Sequence, residues 1–473
     1  MAQSSRSKVL VASNRGPVSF DVADDGRLQA RRGGGGLVSG MTAATRAGDA
    51  TWVCAALSNG DRAAAKQAPR GRLDEAGHDT GDVAVRMLDI DATTFHRAYS
   101  SIANSVLWFV NHQLYDTPNK PWFDERFRRD WRAYVEYDTA FAAALADEAA
   151  DGATVLVQDY HLTLTPRQLR EQRPDLSIGQ YYALLPDDVG HAVLAGILGA
   201  DHAGFLSRRW ADAFLACCER LPGATVDREA GTVRYDDRLT RVAVHGLGVD
   251  ATLLRERGAQ PDVESRMRSL RARVGACKVV LRIDRTELSK NIVRGLAAYR
   301  ELLRRRPEWR GRVVHVAFAY PSRHDLPEYR EYTAAVQRIA REIEDEFAEG
   351  DWTPVELAVD DDFARSLAAY QIADVAVVNP IRDGMNLVAK EVPVLSENGV
   401  ALVLSRECGA ADDLGDAALL VNPYDVSATA EAIHRALSMD DSERAERTAR
   451  LVEGATRLPP DEWFADQLEA LRR

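Results

Sequence analysis

Strands alternating with helices along most of the chain predict an α/β protein built on doubly wound parallel sheets. Short β-branched runs recur at residues 8–12, 154–157, 279–281, 313–316, 375–378, 400–404 and 419–421. Between them lie longer stretches of helical period, such as Val336, Ile339, Ile343 and Phe347 on one face of a charged segment. Runs this apolar suit strands covered on both faces. With 473 residues, 46% of them hydrophobic, the chain can fill two cores, so two substantial domains are expected.

The boundary follows from where the pattern fades. After Val244 the chain passes through HGLGVD into the charged helical segment RGAQPDVESRMRSLRARVG, and a fresh strand starts at Lys278. A junction near residues 246–251 gives domains 1–247 and 248–458. Pro459-Pro460 breaks the chain before an amphipathic helix at 459–473, free to return to the first domain. The Ala-rich stretch 140–150 is expected to be helical.

Charge and cysteine content narrow the function. The net charge of -12, from 60 basic against 72 acidic residues, opposes a nucleic-acid partner, while a cleft can still gather Arg and Lys around a phosphorylated small molecule. Five cysteines (Cys54, Cys217, Cys218, Cys277, Cys408), with neither CxxC nor zinc spacing, fit a reduced compartment. The polar start at residues 1–8 runs straight into an apolar strand, unlike a secretory leader, and no stretch is long enough for a bilayer, so a cytoplasmic protein with no membrane partner is expected. A homo-oligomer is compatible with this reading.

Candidate site residues cluster after strands, where open α/β sheets hold ligands. Arg15 in SNRG follows the first strand. The tract RRGGGGL, with Gly35 and Gly36, could bring backbone N–H groups to a phosphate, though a four-glycine flexible turn explains it as well. Asp159-Tyr160-His161 ends another strand. Arg285 and Lys290 in RTELSK could both face a pyrophosphate. In RDGMNLVAKE, Asp383 and Glu391 bracket a Gly turn and a helix start; a capping Asp with an exposed Glu is the alternative. Tyr99 and Trp108 in YSSIANSVLW fit an aromatic core helix.

The order of these motifs, SNRGPV, GGGGLVSGM, YSSIANSVLW, QDYHL, GILGADHAGF, RTELSK, AYPSRHDLPEY, IRDGMNLVAKE and LVNPYD, resembles glycosyltransferase family 20 from end to end, with DGMNLVAKE the most specific. This is the retaining family of the trehalose-6-phosphate synthases, and the motifs look most like its actinobacterial branch. The resemblance implies a GT-B architecture, two facing Rossmann-like domains with a cleft between them. It also implies transfer of glucose from a nucleotide donor, GDP-glucose favoured over UDP-glucose, to glucose 6-phosphate. Arg15, Tyr99, Trp108 and Arg323 match the positions around the acceptor phosphate, and Asp159 matches the carboxylate on acceptor hydroxyls. Gly35 and Gly36 match the loop near the donor pyrophosphate, and Arg285 and Lys290 the cationic pair on the leaving diphosphate. Asp383 and Glu391 match positions on the donor sugar and the ribose, with backbone of Gly384, Met385, Asn386, Leu387 and Val388 on donor groups. Arg285, Lys290, Asp383 and Asp159 form the implied catalytic set, with no metal, no cofactor and no enzymatic nucleophile.

One departure stands out. After Gly179 the family carries a loop of roughly ten residues with a His that contacts the donor sugar, a length typical of a functional loop. Here IGQYYALLP runs through without it. A break between Gln180 and Tyr181 is expected if the loop exists but is left out of the sequence, and an ordinary peptide if it is deleted. The lost His keeps open a non-catalytic binding homologue, and the shared phosphate and nucleotide sites keep open a pseudo-glycosyltransferase acting on cyclitols.

Overall fold

The computed structural model describes residues 6–23, 27–32, 50–81, 83–112, 114, 124–158, 160–173, 177–179, 187–323 and 325–472. Two compact units emerge: Met1–Gly246 with Pro460–Arg473, and Leu247–Pro459.

The first unit is organised by a five-stranded parallel sheet in the order Ala84–Leu88, Ala50–Ala55, Ser7–Ala12, Ala149–Val157, Ser177–Gly179. Its first strand therefore pairs with the strand that precedes Asp159, and the two run out side by side at their carboxyl ends. Val18–Val22 and Leu28–Arg32 form an antiparallel hairpin. A four-stranded sheet orders His202–Phe205, Arg238–Val244, Thr232–Tyr235 and Thr225–Asp227. The core packs Leu10, Val53 and Val155 of the parallel sheet against Tyr134, Tyr137 and Phe141 of the Glu125–Glu148 helix.

The Ala-rich stretch does not stay helical to residue 150: the helix stops at Glu148 and Ala149 already pairs with Ser7. Propensity yields to tertiary contacts here, because the buried Glu148 carboxylate takes Arg72 at 2.8 Å and Arg86 at 3.0 Å, which fixes where the turn must fall. The closing helix Pro460–Arg472 belongs to the first unit. Trp463 and Phe464 are buried, Trp463 Nε1 donates to the His245 carbonyl at 2.9 Å, and Asp466 Oδ2 lies 2.5 Å from His245 Nδ1.

The second unit holds a six-stranded parallel sheet in the order Val355–Ala358, Val313–Tyr320, Lys278–Arg285, Val375–Val378, Ala401–Ser405, Leu419–Val421. Numbered within the unit this is 3-2-1-4-5-6, the doubly wound order of nucleotide-binding folds. Strand direction of growth reverses between Lys278–Arg285 and Val375–Val378, and ligands of such sheets bind at that switch point. Leu296, Tyr299 and Ile343 from the flanking helices fill one side of the sheet. Among the described residues no helix is long and apolar enough to cross a membrane.

Candidate functional site

In the first unit the switch point lies between Ser7–Ala12 and Ala149–Val157, and a hydrogen-bond net ties the loops beyond them. Tyr137 donates its hydroxyl to Asn14 Oδ1 at 2.6 Å, and Tyr160 donates to Asn104 Oδ1 at 2.8 Å. The turn Tyr160–Leu162 is anchored from below, since Leu164 N and Thr165 N donate to the buried Asp138 Oδ1 at 2.8 and 2.7 Å. Arg15 is exposed, one residue past the buried Asn14.

Tyr99 and Trp108 sit on a wide helical segment, Arg97–Leu107 and its end, with i→i+5 bonding of the kind that recurs at functional sites. Tyr99 is stacked between Phe95 and His161, with both centroid distances 5.2 Å. This contact joins the aromatic segment to the QDYHL turn. Trp108 is buried at the segment's end, its ring stacked on His112 at 4.3 Å. Gly35, Gly36 and Asp159 lie outside the described residues, as do Gln180 and Tyr181, so the expected break falls there too.

The second unit brings its predicted residues together. Arg285 ends the Lys278–Arg285 strand, and Lys290 closes the short turn Leu288–Lys290. Across the switch point, Ile381 N donates to the Ser289 carbonyl at 2.7 Å and Asn291 Nδ2 donates to the Asn379 carbonyl at 3.0 Å, which locks the two loops in register. Lys290 Nζ consequently reaches Asp383 Oδ2 at 2.5 Å, with both side chains about 15% exposed or less. Asn386, at φ 76°, donates to the same oxygen at 3.0 Å, and its Oδ1 accepts from Ala389 N at 3.2 Å at the start of the Val388–Leu395 helix. Gly384 and Met385 form the turn between, and the Met385 carbonyl accepts from Ala410 N at 2.8 Å. Gly409 is required there, because a Cβ on it would stand 2.0 Å from the Gly384 carbonyl oxygen. The N–H groups of Leu387 and Val388 open the helix and lie ahead of its first internal bonds.

Glu391 is half-buried and accepts from the Tyr370 hydroxyl at 3.1 Å, unlike the exposed Glu of the alternative reading. Burial raises its pKa, and the Tyr370 bond only partly opposes this. Arg323, at φ 42°, lies in the second unit while Arg15, Tyr99 and Trp108 lie in the first.

Four buried groups escaped sequence reasoning. Arg282, 1% exposed, donates to Asp284 Oδ2 at 3.0 Å, to the Lys290 carbonyl at 3.1 Å and to Asn379 Oδ1. Gly295 makes room for it, since a Cβ there would fall 2.2 Å from Arg282 Nη1. Glu287 Oε1 lies 2.9 Å from Arg285 Nη1. Burial raises the Asp284 pKa against the pull of Arg282 and Lys290. Burial also works against the charge of Lys290, but Asp383, with Asp284 and Glu287, outweighs it and keeps the ammonium protonated. The available signal was charge density: DRTELSK alternates sign right after a strand. Chemically, the cluster offers fixed positive charge beside a carboxylate and free helix N–H groups, which suits a diphosphate bonded to a polyol. Among the described residues no group of three or more His, Cys, Asp and Glu side chains is arranged to hold a metal ion.

The model of glycosyltransferase family 20 matches residues 7–473. A bifunctional trehalose-6-phosphate synthase/phosphatase of Thermoproteus tenax is 34% identical over 388 residues, 79% of this chain and 51% of its own, so the chain spans about half of that relative. An alpha,alpha-trehalose-phosphate synthase (UDP-forming) of Aspergillus niger is 30% identical over 476 residues, 96% of this chain and 95% of its own. The crystal structure of an alpha,alpha-trehalose-phosphate synthase (UDP-forming) from Burkholderia xenovorans in complex with glucose-6-phosphate matches with a TM-score of 0.84 at 25% identity, over 98% of this chain and 100% of that one. The α/β units with their parallel sheets have the GT-B architecture of such structures.

Proposed function

This chain belongs to glycosyltransferase family 20, and on that premise we propose that it transfers glucose, with retention, from a nucleotide donor to glucose 6-phosphate, giving trehalose 6-phosphate. The observation that carries the proposal is the Lys290–Asp383 pair at 2.5 Å across the switch point of the second unit, beside the strand that Arg285 ends.

In this reading the second unit takes the nucleotide-sugar and the first unit most of the acceptor. Arg285 and Lys290 hold the diphosphate, and the helix start at Leu387 and Val388 turns N–H groups to the donor. An arriving diphosphate competes for Lys290, which frees Asp383 to accept hydrogen bonds from the donor sugar. Glu391 takes the ribose hydroxyls, and its raised pKa suits a carboxyl that shares hydrogen bonds with neutral groups. Gly35 and Gly36 approach the pyrophosphate. By their match to the family, Arg15, Tyr99 and Trp108 of the first unit, and Arg323 of the second, are assigned to the acceptor phosphate, with Arg side chains as its planar forks, and Asp159 to acceptor hydroxyls.

As the glycosidic C–O bond to the diphosphate breaks, negative charge grows on the leaving oxygen, and the fixed cations stabilise it. The acceptor's 1-hydroxyl oxygen bonds to the same face of the sugar carbon, and its proton passes to the departing phosphate oxygen. The nucleobase has divided support: the Aspergillus niger relative is named UDP-forming, while the lean to GDP-glucose rests on the likeness of RRGGGGLVSG, RTELSKN and VVNPIRDGMNLVAKE to the actinobacterial branch. The absent His after Gly179 supports a second reading, a homologue that binds both ligands without turnover.

A coupled assay of nucleotide release from UDP-, GDP- and ADP-glucose with glucose 6-phosphate separates the readings. Turnover supports the transferase, and binding without turnover supports the second reading.

A further inference from the structure

Two guanidiniums and a serine hydroxyl converge on one carboxylate oxygen at the carboxyl edge of the second unit's sheet. Glu287 is only 2% exposed, and its Oε1 lies 2.9 Å from Arg285 Nη1 and 3.5 Å from Arg323 Nη1 while accepting from Ser322 Oγ at 3.1 Å. Arg323 is held further: its guanidinium donates to the Tyr329 hydroxyl at 2.5 Å and lies 5.5 Å from that ring's centroid. Burial opposes the charge on Glu287, but Arg285 and Arg323, with Lys290, outweigh it and keep the carboxylate ionised. Such a buried carboxylate cannot swing away without leaving guanidinium charge uncompensated.

We infer that Glu287 is a positioning residue: one carboxylate oxygen sets the guanidiniums of Arg285 and Arg323 in fixed relation, so the donor diphosphate and the acceptor phosphate depend on the same anchor. The inference rests on the transferase reading above, in which these two arginines serve the two substrates and Glu287 touches neither. It makes a prediction of sign. Removing a negative charge from an anion-binding cluster tightens anion binding if Glu287 only balances charge. Removing the anchor of two guanidiniums weakens it if Glu287 positions them.

The test uses the full chain, with titration calorimetry of UDP, GDP, glucose 6-phosphate, inorganic pyrophosphate and inorganic phosphate on wild type, Glu287→Gln and Glu287→Asp, alongside melting curves and KM and kcat. Glu287→Gln should weaken both the diphosphate and the phosphate ligands by roughly tenfold or more and raise KM for both substrates, since two charge-assisted contacts are lost. Glu287→Asp keeps the charge and should recover part of that loss. Unchanged or tighter binding in Glu287→Gln, or weakening of one ligand class alone, overturns the proposal. If Glu287→Gln does not fold, Glu287→Asp decides: weaker binding of both classes supports the shared anchor, and unchanged binding of both overturns it. A wild type without turnover counts against the transferase reading instead, and the pyrophosphate and phosphate titrations still judge Glu287.

Discussion

Replacing Lys290 by Ala, set against Arg285→Ala, tests catalysis against structure at the switch point. Its ammonium is 14% exposed and 2.5 Å from Asp383, and Asp284 and Glu287 add to the field that holds it. Deleting it removes the cation that balances Asp383 against the nearby Asp284 carboxylate, while the Asn386 amide still donates to Asp383. Removing one partner of a buried ion pair is destabilising by about 3–5 kcal/mol, and the low end applies because this pair keeps some solvent contact. For a unit of this size that is a fall of roughly 10 °C in melting temperature. Losing a cation beside the leaving diphosphate should independently lower kcat by about 10²–10³-fold. Arg285→Ala is the contrast, because its side chain is 59% exposed and Glu287 keeps Arg323 as a partner. It should lose turnover with a stability change within about 1 kcal/mol. The assays are calorimetric melting and kcat measured well below both transitions. Wild-type kcat in Lys290→Ala, with the melting temperature lowered, would show that the pair is structural and refute the assignment.

Three further outcomes are expected. Arg323→Ala should raise KM for glucose 6-phosphate by about tenfold or more while nucleotide affinity, read by calorimetry, stays within about twofold; equal losses for both substrates argue against the partition. Asp138 is fully buried and its Oδ2 has no partner among the described residues, and burial raises its pKa to about 8 against the bonds from Thr165 and Leu164. The folded state then binds a proton that an unfolded Asp, titrating near about 3.9, releases, so stability declines as pH rises from about 4 to 8. Asp138→Asn should flatten the melting temperature across that window, and an unchanged slope would contradict the shift. Thermal shifts with UDP, GDP and ADP at equal excess should single out one base, and a selective UDP response removes the case for GDP-glucose.

The sheets were legible where strands carry unbroken apolar runs rich in Val, as at VAVV, whose four residues are all buried. Ala50–Ala55 and Ala84–Leu88 were not, because Ala, Cys and Trp in the one and the charged Arg86 in the other dilute the strand signal. The strands Thr225–Asp227 and Arg238–Val244 were not read either: the first is three residues with two exposed polar ends, and in the second Leu239 and Val244 are exposed while Thr240 is buried, so apolar pattern and burial do not coincide. For the site, Lys290 and Asp383 are 93 residues apart in sequence, and only a strand order that sets the first strand beside the fourth brings them together. Family resemblance had assigned both to the donor, Lys290 to its diphosphate and Asp383 to its sugar, whereas no local pattern could. Glu287 shows the opposite failure: between two cations in DRTELSK it reads as a solvated charge, and its burial depends on Ser322 and Arg323 arriving from the next strand.

The central claim is the chemistry itself. It is tested most directly by following wild type and Asp383→Ala by ¹³C NMR, with nucleotide donor labelled at the glucose C1 and unlabelled glucose 6-phosphate. Wild type should convert the donor signal into that of an α,α-linked trehalose 6-phosphate with release of nucleoside diphosphate, while Asp383→Ala, folded by its melting curve, should form none. A folded wild type that binds both ligands and leaves the donor signal intact, with every nucleotide tried, would contradict it.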